Sequence, residues 1–333
     1  MNKYDLIEQV LNNGRPERVP VGFWFHFVED PAADGFKNPA IFDENIAGHR
    51  KFVEEFDPDF VKIMTDGFFI YPNRRFYAAR SAAELGQVEP IGAGHEWIEK
   101  QVEFAKKARD VIGGSTPCFY NIFAPATLFR FGRGEADLKA LADFIVEDGD
   151  AVARGLDAVA RDLASLAERV LDEAGVDGVY YSVQDIADSR IGDEARKKSF
   201  DAANFTALKA ANGKSSRNIL HICGYDGFRN DLSRFADYPA QIFNWATAVE
   251  GTPLGAGKKL FNGKPVIGGF GNTVKEVLYR GNRAEIEAAT AAILEESGFN
   301  GVALGADCTL PPDINLDRLR WVRDKAAELS ARR

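Results

Sequence analysis

Apolar residues recur along this chain in two rhythms: short runs of strand-like length, and longer segments where they return every three or four positions. Residues 3–12 place Tyr4, Leu6, Ile7, Val10 and Leu11 at helical spacing and close on Asn13-Gly14, which predicts a short amphipathic helix at the N-terminus. The apolar, aromatic run 19–27 predicts a first strand. Helix-like spacing around 43–56 leads to a second predicted strand, 59–66, which ends on the acid Asp66. Residues 67–97 are irregular and rich in aromatics, a pattern that predicts a long loop or lid over a site. A helix over 98–111 precedes a third strand at 117–124, and 137–174 reads as one long helix or two joined helices. The fourth strand is expected at 178–184, with a helix at 194–211 after it. The fifth strand falls at 218–223, a short helix at 228–235, and the remaining strands at 241–245, 265–270 and 301–305.

Short strands separated by helices pair in parallel, and eight such units in 333 residues predict an α/β chain folded as a single (β/α)8 TIM barrel with an N-terminal helical extension. No linker, low-complexity tract or solenoid repeat interrupts the sequence, so one domain over residues 1–333 is expected.

Composition narrows the functional classes. A hydrophobic share of 45%, with 27% charged residues, is enough for a large core. The net charge of −9 and pI near 5.2 argue against a nucleic-acid partner. No apolar run approaches the roughly 20 residues of a membrane span, and the opening residues read as a helix rather than a signal peptide, so a cytoplasmic location away from the membrane is expected. Three cysteines are too few, and odd in number, for a disulfide framework, which favours thiol or metal roles.

In such a barrel the reactive groups stand at the C-terminal ends of the strands. His221 and Cys223 lie two apart at the end of the fifth predicted strand, so they share a face, and Cys308 follows the eighth. Imidazole and thiolate suit a tetrahedral zinc ion, and three protein ligands leave a fourth position for a substrate. His221, Cys223 and Cys308 are therefore the expected Zn2+ ligands. Asp66, Gln184 and Asp307 are the candidate catalytic residues, and His26, Asp185, Asn244, Trp245 and Asn272 the candidate contacts to a small-molecule substrate, all at strand ends on one face. Asn244 is also a candidate for the fourth zinc position. Cys118 sits inside the third strand and reads as a buried small hydrophobe, while His49 and His95 read as helix or loop surface. The glycines at 268, 269 and 271 do not form a dinucleotide-binding fingerprint.

Along its whole length the chain resembles the uroporphyrinogen decarboxylase superfamily. The resemblance is carried by short segments in the same order: 15–20 (RPERVP), 59–66, 123–128 (FAPATL), Asn244-Trp245, 268–272 (GGFGN) and 305–313. It places Asp66 where the decarboxylase keeps the aspartate that holds its tetrapyrrole. The rest of that site departs: the run 22–27 has no arginine, Phe131 stands where a tyrosine is expected, and Gly305-Ala-Asp-Cys308 replaces a histidine motif. These departures point to the superfamily's methyltransferases, which move a methyl group from a corrinoid protein to a thiol or folate. The thiol-using members bind zinc through His-x-Cys and a distant Cys, as His221, Cys223 and Cys308 are spaced. The resemblance thus implies zinc that lowers the pKa of a bound thiol for attack on a methyl group. It also implies Asp66 orienting the acceptor, Asp307 hydrogen-bonded to a ligand, and methylcobalamin supplied by a partner corrinoid protein. No Asp-x-His-x-x-Gly corrinoid motif occurs in the chain. Two other readings stay open: a metal-free decarboxylase of a porphyrinogen or smaller acid, centred on Asp66, and a noncatalytic subunit that docks a corrinoid protein.

Overall fold

A computed structural model describes residues 1–133, 138–184, 188–225 and 229–332. The N-terminal helix is Lys3–Leu11, and it begins where the sequence supplies a reciprocal cap. Asn2 Oδ1 accepts from Asp5 N at 2.9 Å, and the Asp5 carboxylate accepts from Asn2 N at 3.1 Å. Its apolar face, Leu6, Ile7 and Val10, is buried.

Seven strands follow in chain order: β1 Val61–Ile63, β2 Cys118–Phe123, β3 Gly178–Val183, β4 Ile219–Ile222, β5 Ile242–Trp245, β6 Val266–Phe270 and β7 Val302–Ala306. They form one parallel sheet whose spatial order is the sequence order. Each crossover carries helical structure, and the sheet curls as in a TIM barrel.

The strand predicted at 19–27 is not a strand of this sheet. It is an extended segment that spans the opening between β7 and β1 through isolated bridges, Val21 to Leu304 and Phe25 to Leu310. Gly22 N donates to Leu304 O at 3.0 Å on one side, and Val21 O accepts from Asp59 N at 3.0 Å on the other. Local chemistry stops a ladder from forming. Pro20 has no N–H to give, and Val21 N donates to the Asp59 carboxylate at 2.8 Å instead of to a strand carbonyl. Arg18 grips that same carboxylate with two donors. The regular sheet therefore has seven strands among the described residues, not eight.

Other elements refine the sequence reading. The long segment is Leu138–Ala174 with a break at Asp148, so two joined helices is the correct alternative. The Asp148 side chain accepts from Asp150 N and Ala151 N and so caps the second helix. Residues 67–97 are not a plain loop, for they hold the helices Arg74–Ala78 and Ala82–Leu85. Asp162, buried on the long helix, straps this region down by accepting from Ile91 N at 2.8 Å, Gly92 N at 2.9 Å and Tyr71 Oη at 2.5 Å. The helix expected at 194–211 is Asp193–Arg196 and Ala202–Asn212 joined by a π-helical turn. The helix expected at 228–235 is a single 3-10 turn, Leu232–Phe235.

Two apolar layers result. The larger lies between sheet and helices. The smaller fills the floor of the lumen: Phe119, Tyr180, Ile219, Ile242, Ile267 and Ala303, one from each of β2 to β7, pack with Trp24 and Phe60 over Ile7 of the N-terminal helix. Asn244, His221 and Asp66 stand above this floor, at the strands' C-terminal ends, while Lys62 of β1 is level with the floor residue Phe119. Among the described residues no helix is long and apolar enough to cross a membrane.

Candidate metal centre

His221 and Cys223 leave the end of β4 on the lumen face, and Cys308 follows β7. Their donor atoms all lie within 4.8 Å of one another. Curling of the sheet makes neighbours of residues that are remote in sequence.

The imidazole is held in one orientation. His221 Nδ1 lies 2.5 Å from Asn244 Oδ1, which also accepts from Tyr180 Oη at 2.6 Å. The Asn244 amide cannot be reversed, because its Nδ2 donates to Ile267 O at 2.8 Å and to Ala306 O at 3.3 Å. Nδ1 therefore carries the proton, and Nε2 presents a lone pair toward the two thiols. That Nε2 is buried and, among the described residues, has no hydrogen-bond partner. An unsatisfied buried acceptor is costly unless a ligand or ion completes it.

The two thiols are coupled: their mutual interaction pulls Cys308 well below the usual thiol range and pushes Cys223 well above it. An imidazole nitrogen fixed by an outer hydrogen bond, beside two thiols, is a donor set suited to zinc. The residues fit the ion.

The remaining site residues fall into distinct places. Gln184 follows β3 beside Cys223, whose N–H donates to Val183 O at 2.9 Å, and it is buried with neither amide atom hydrogen-bonded among the described residues. Asp66 is fully buried; His26 Nδ1 lies 2.7 Å from its Oδ1, and Phe27 N donates to Oδ2 at 3.0 Å. Asp307 accepts from Thr247 Oγ1 at 2.6 Å and Ala248 N at 2.8 Å, so it ties the loop after β5 to the loop after β7 instead of bonding a metal ligand. Burial pushes its carboxyl up to about 7.

Asn244 has every polar atom engaged, which removes it as a candidate fourth ligand and makes it the group that orients His221. Trp245, next along β5, faces the opposite way: it packs on Phe261 and donates from Nε1 to Thr252 O at 2.8 Å. It belongs to the outer core, not to the mouth. Asn272 donates to Thr309 O at 3.1 Å and joins the loops after β6 and β7. Asp185 lies outside the described residues.

Two histidines read as surface are structural. His49 is buried, with Nδ1 at 2.9 Å from Asn45 O and Nε2 accepting from Met64 N at 3.0 Å. Burial lowers its pKa to about 4. His95 caps the helix Glu96–Ile112 by accepting from Trp97 N at 3.0 Å. Cys118 is buried, as its place inside a strand predicted, and burial pushes its thiol up to about 12.

One functional candidate escaped the sequence reading. Lys62, in β1, is 5% exposed, and its Nζ stands 4.3 Å from the centroid of the Tyr180 ring. Burial lowers its pKa to about 8, against the opposing attraction of Cys308, Cys223 and Asp66. A signal existed: Lys62 shares the strand parity of Asp66, so an acid expected in the lumen placed a cation there too.

The fold and this cluster together define a TIM-barrel-like α/β protein with a His/Cys/Cys centre at the open end of the lumen. No protein-family model and no curated protein sequence matches the chain. Among solved structures it is similar to a methyltransferase from Methanosarcina mazei, at a TM-score of 0.72 and 14% identity over 99% of each chain. It is also similar to a putative vitamin-B12-independent methionine synthase from Listeria monocytogenes, at a TM-score of 0.57 and 16% identity over 94% of this chain and 96% of that one. These likenesses establish the fold, and they agree with the superfamily architecture that the sequence resemblance implied.

Proposed function

We propose that this protein is a methyl-transfer enzyme that binds zinc through His221, Cys223 and Cys308 and accepts a thiol at the fourth position of the ion. The observation that carries this reading is the buried, unpartnered Nε2 of His221, fixed by Asn244 and aimed at two thiols at the mouth of the lumen. The descriptions of both similar structures, a methyltransferase and a methionine synthase, agree with it.

Bound zinc supplies Lewis acidity that keeps an acceptor thiol ionised at neutral pH. The chain's own residues do the rest. Asn244 holds the imidazole in the tautomer that can donate a lone pair. Gln184, with both amide atoms unpartnered beside Cys223, offers a donor and an acceptor to the substrate. The Asp66 carboxylate, steadied by His26 and Phe27 N, stands in the same lumen to orient the acceptor. The chain contains no corrinoid-binding motif of the Asp-x-His-x-x-Gly type, so a corrinoid methyl donor would be carried by a partner protein.

Metal analysis of freshly purified, unchelated protein tests the centre, with about one zinc per chain expected. Single-turnover methyl transfer from free methylcobalamin to a panel of small thiols tests the chemistry. Absence of metal from the wild type, or release of carbon dioxide from uroporphyrinogen in place of methyl transfer, would sink the reading.

A further inference from the structure

Lys62 is a buried cation without a counter-ion. Among the described residues its Nζ makes neither a hydrogen bond nor an ion pair, and it stands 4.3 Å and 5.8 Å from the centroids of the Tyr180 and Trp24 rings. Burying an ammonium this way is costly, and cation–π contacts recover only part of the cost. Asp66, the acid on the same strand face, has both oxygens engaged by His26 and Phe27 N.

Tyr180 connects Lys62 to the metal centre. Its ring contacts the His221 ring, with centroids 5.3 Å apart and planes inclined by 31°, and its hydroxyl donates to the same Asn244 Oδ1 that orients His221. Lys62 and His221 thus contact one and the same ring. A divalent ion held by two thiolates and a neutral imidazole is electrically neutral, and an anionic fourth ligand leaves one negative charge that the lumen must balance. Arg130 is the other cation whose field reaches Cys223, and among the described residues its buried Nε has no hydrogen-bond partner. Its Nη1 donates to Tyr225 Oη at 3.1 Å, and its guanidinium lies 5.0 Å and 5.6 Å from the Phe131 and Tyr225 rings.

We propose that Lys62 is the binding group for the negative charge of a thiolate ligand beside His221, Cys223 and Cys308, and that it makes this centre prefer anionic over neutral ligands. This inference rests on the metal-centre reading given above and adds the residue that sets ligand charge.

The test uses full-length protein loaded with Co2+, whose visible bands report the occupant of the fourth position. Wild type, Lys62→Met and Lys62→Gln are each titrated with 2-mercaptoethanol, which binds as an anion, and with imidazole, which binds neutral. Both variants are expected to lose at least about tenfold in thiol affinity while imidazole affinity stays within about threefold, because one opposite charge is removed from a site of low dielectric. Replacing an unpaired buried charge by an apolar group of similar shape should leave the thermal midpoint unchanged or raised, and the two variants guard against failure of either to fold. Equal losses for both probes, or no change in either, overturns the proposal while the metal reading stands. A wild-type protein that takes up no Co2+ overturns both.

Discussion

His221 and His49 are both buried histidines close to lumen strands, yet their surroundings assign them opposite roles. His49 spends both ring nitrogens on the backbone, giving a proton to Asn45 O and accepting one from Met64 N. It pins the helix Ala40–Phe56 to the residue after β1 and has no valence left. His221 spends one nitrogen on Asn244 and leaves the other bare against two thiols. Burial alone does not separate a structural histidine from a ligand. Hydrogen-bond accounting does, because a buried acceptor without a partner marks a place where something else binds.

The comparison breaks most readily at the metal. Cys223→Ser with Cys308→Ser should reduce bound zinc from about one per chain to less than about a tenth, whereas His49→Gln should retain the full amount. Elemental analysis of the variants, purified identically, decides; metal retained by the double variant would refute the ligand set.

A smaller but still large effect concerns the pH dependence of stability. Burial depresses the His49 pKa from 6.5 to about 4, so between those values the unfolded chain binds more protons than the native one. Its stabilising contribution is present above pH 6.5 and is lost as pH falls toward 4, by about 3 kcal/mol. Denaturant titrations at pH 7 and pH 4.5 should show His49→Gln lacking this component. An identical pH slope in wild type and variant would mean that His49 is not the group that titrates.

Next in size is the orienting bond. Asn244→Ala frees Nδ1 of His221 without touching a donor atom, and outer-shell losses of this kind cost roughly tenfold to a hundredfold in metal affinity. Competition with a chromophoric chelator measures it, and an affinity within about twofold of wild type would show that Asn244 does not fix the imidazole. The smallest effect belongs to the third cysteine. Cys118→Ala should leave zinc content unchanged and alter stability by about 1 kcal/mol, as expected for a small buried hydrophobe.

Much of the fold was legible because strand and helix periods are local. Six of the seven strands fall within segments whose apolar patterning predicted them, β7 runs one residue past its segment, and the i, i+2 spacing alone put His221 and Cys223 on one face. The segment at 19–27 was misread because apolar content cannot show where backbone donors go; Pro20 and the Asp59 carboxylate divert them. Trp245 was assigned to the mouth although its neighbour Asn244 faces the lumen, an alternation that the sequence contains once Asn244 is placed. His49 looked exposed on helical spacing, and only the packing of its helix against the residue after β1 shows it buried.

By itself the sequence determined the parallel α/β class, the parity of each strand residue and the chemical set of one imidazole and two thiols, since these follow from local periodicity and side-chain identity. Tertiary structure decided which residues meet. Curling of the sheet carried Cys308 to Cys223, set Asn244 behind His221, and left the Nε2 of His221 and the Nζ of Lys62 without partners. Distances across a lumen depend on strand order and curvature, which no single stretch of chain encodes.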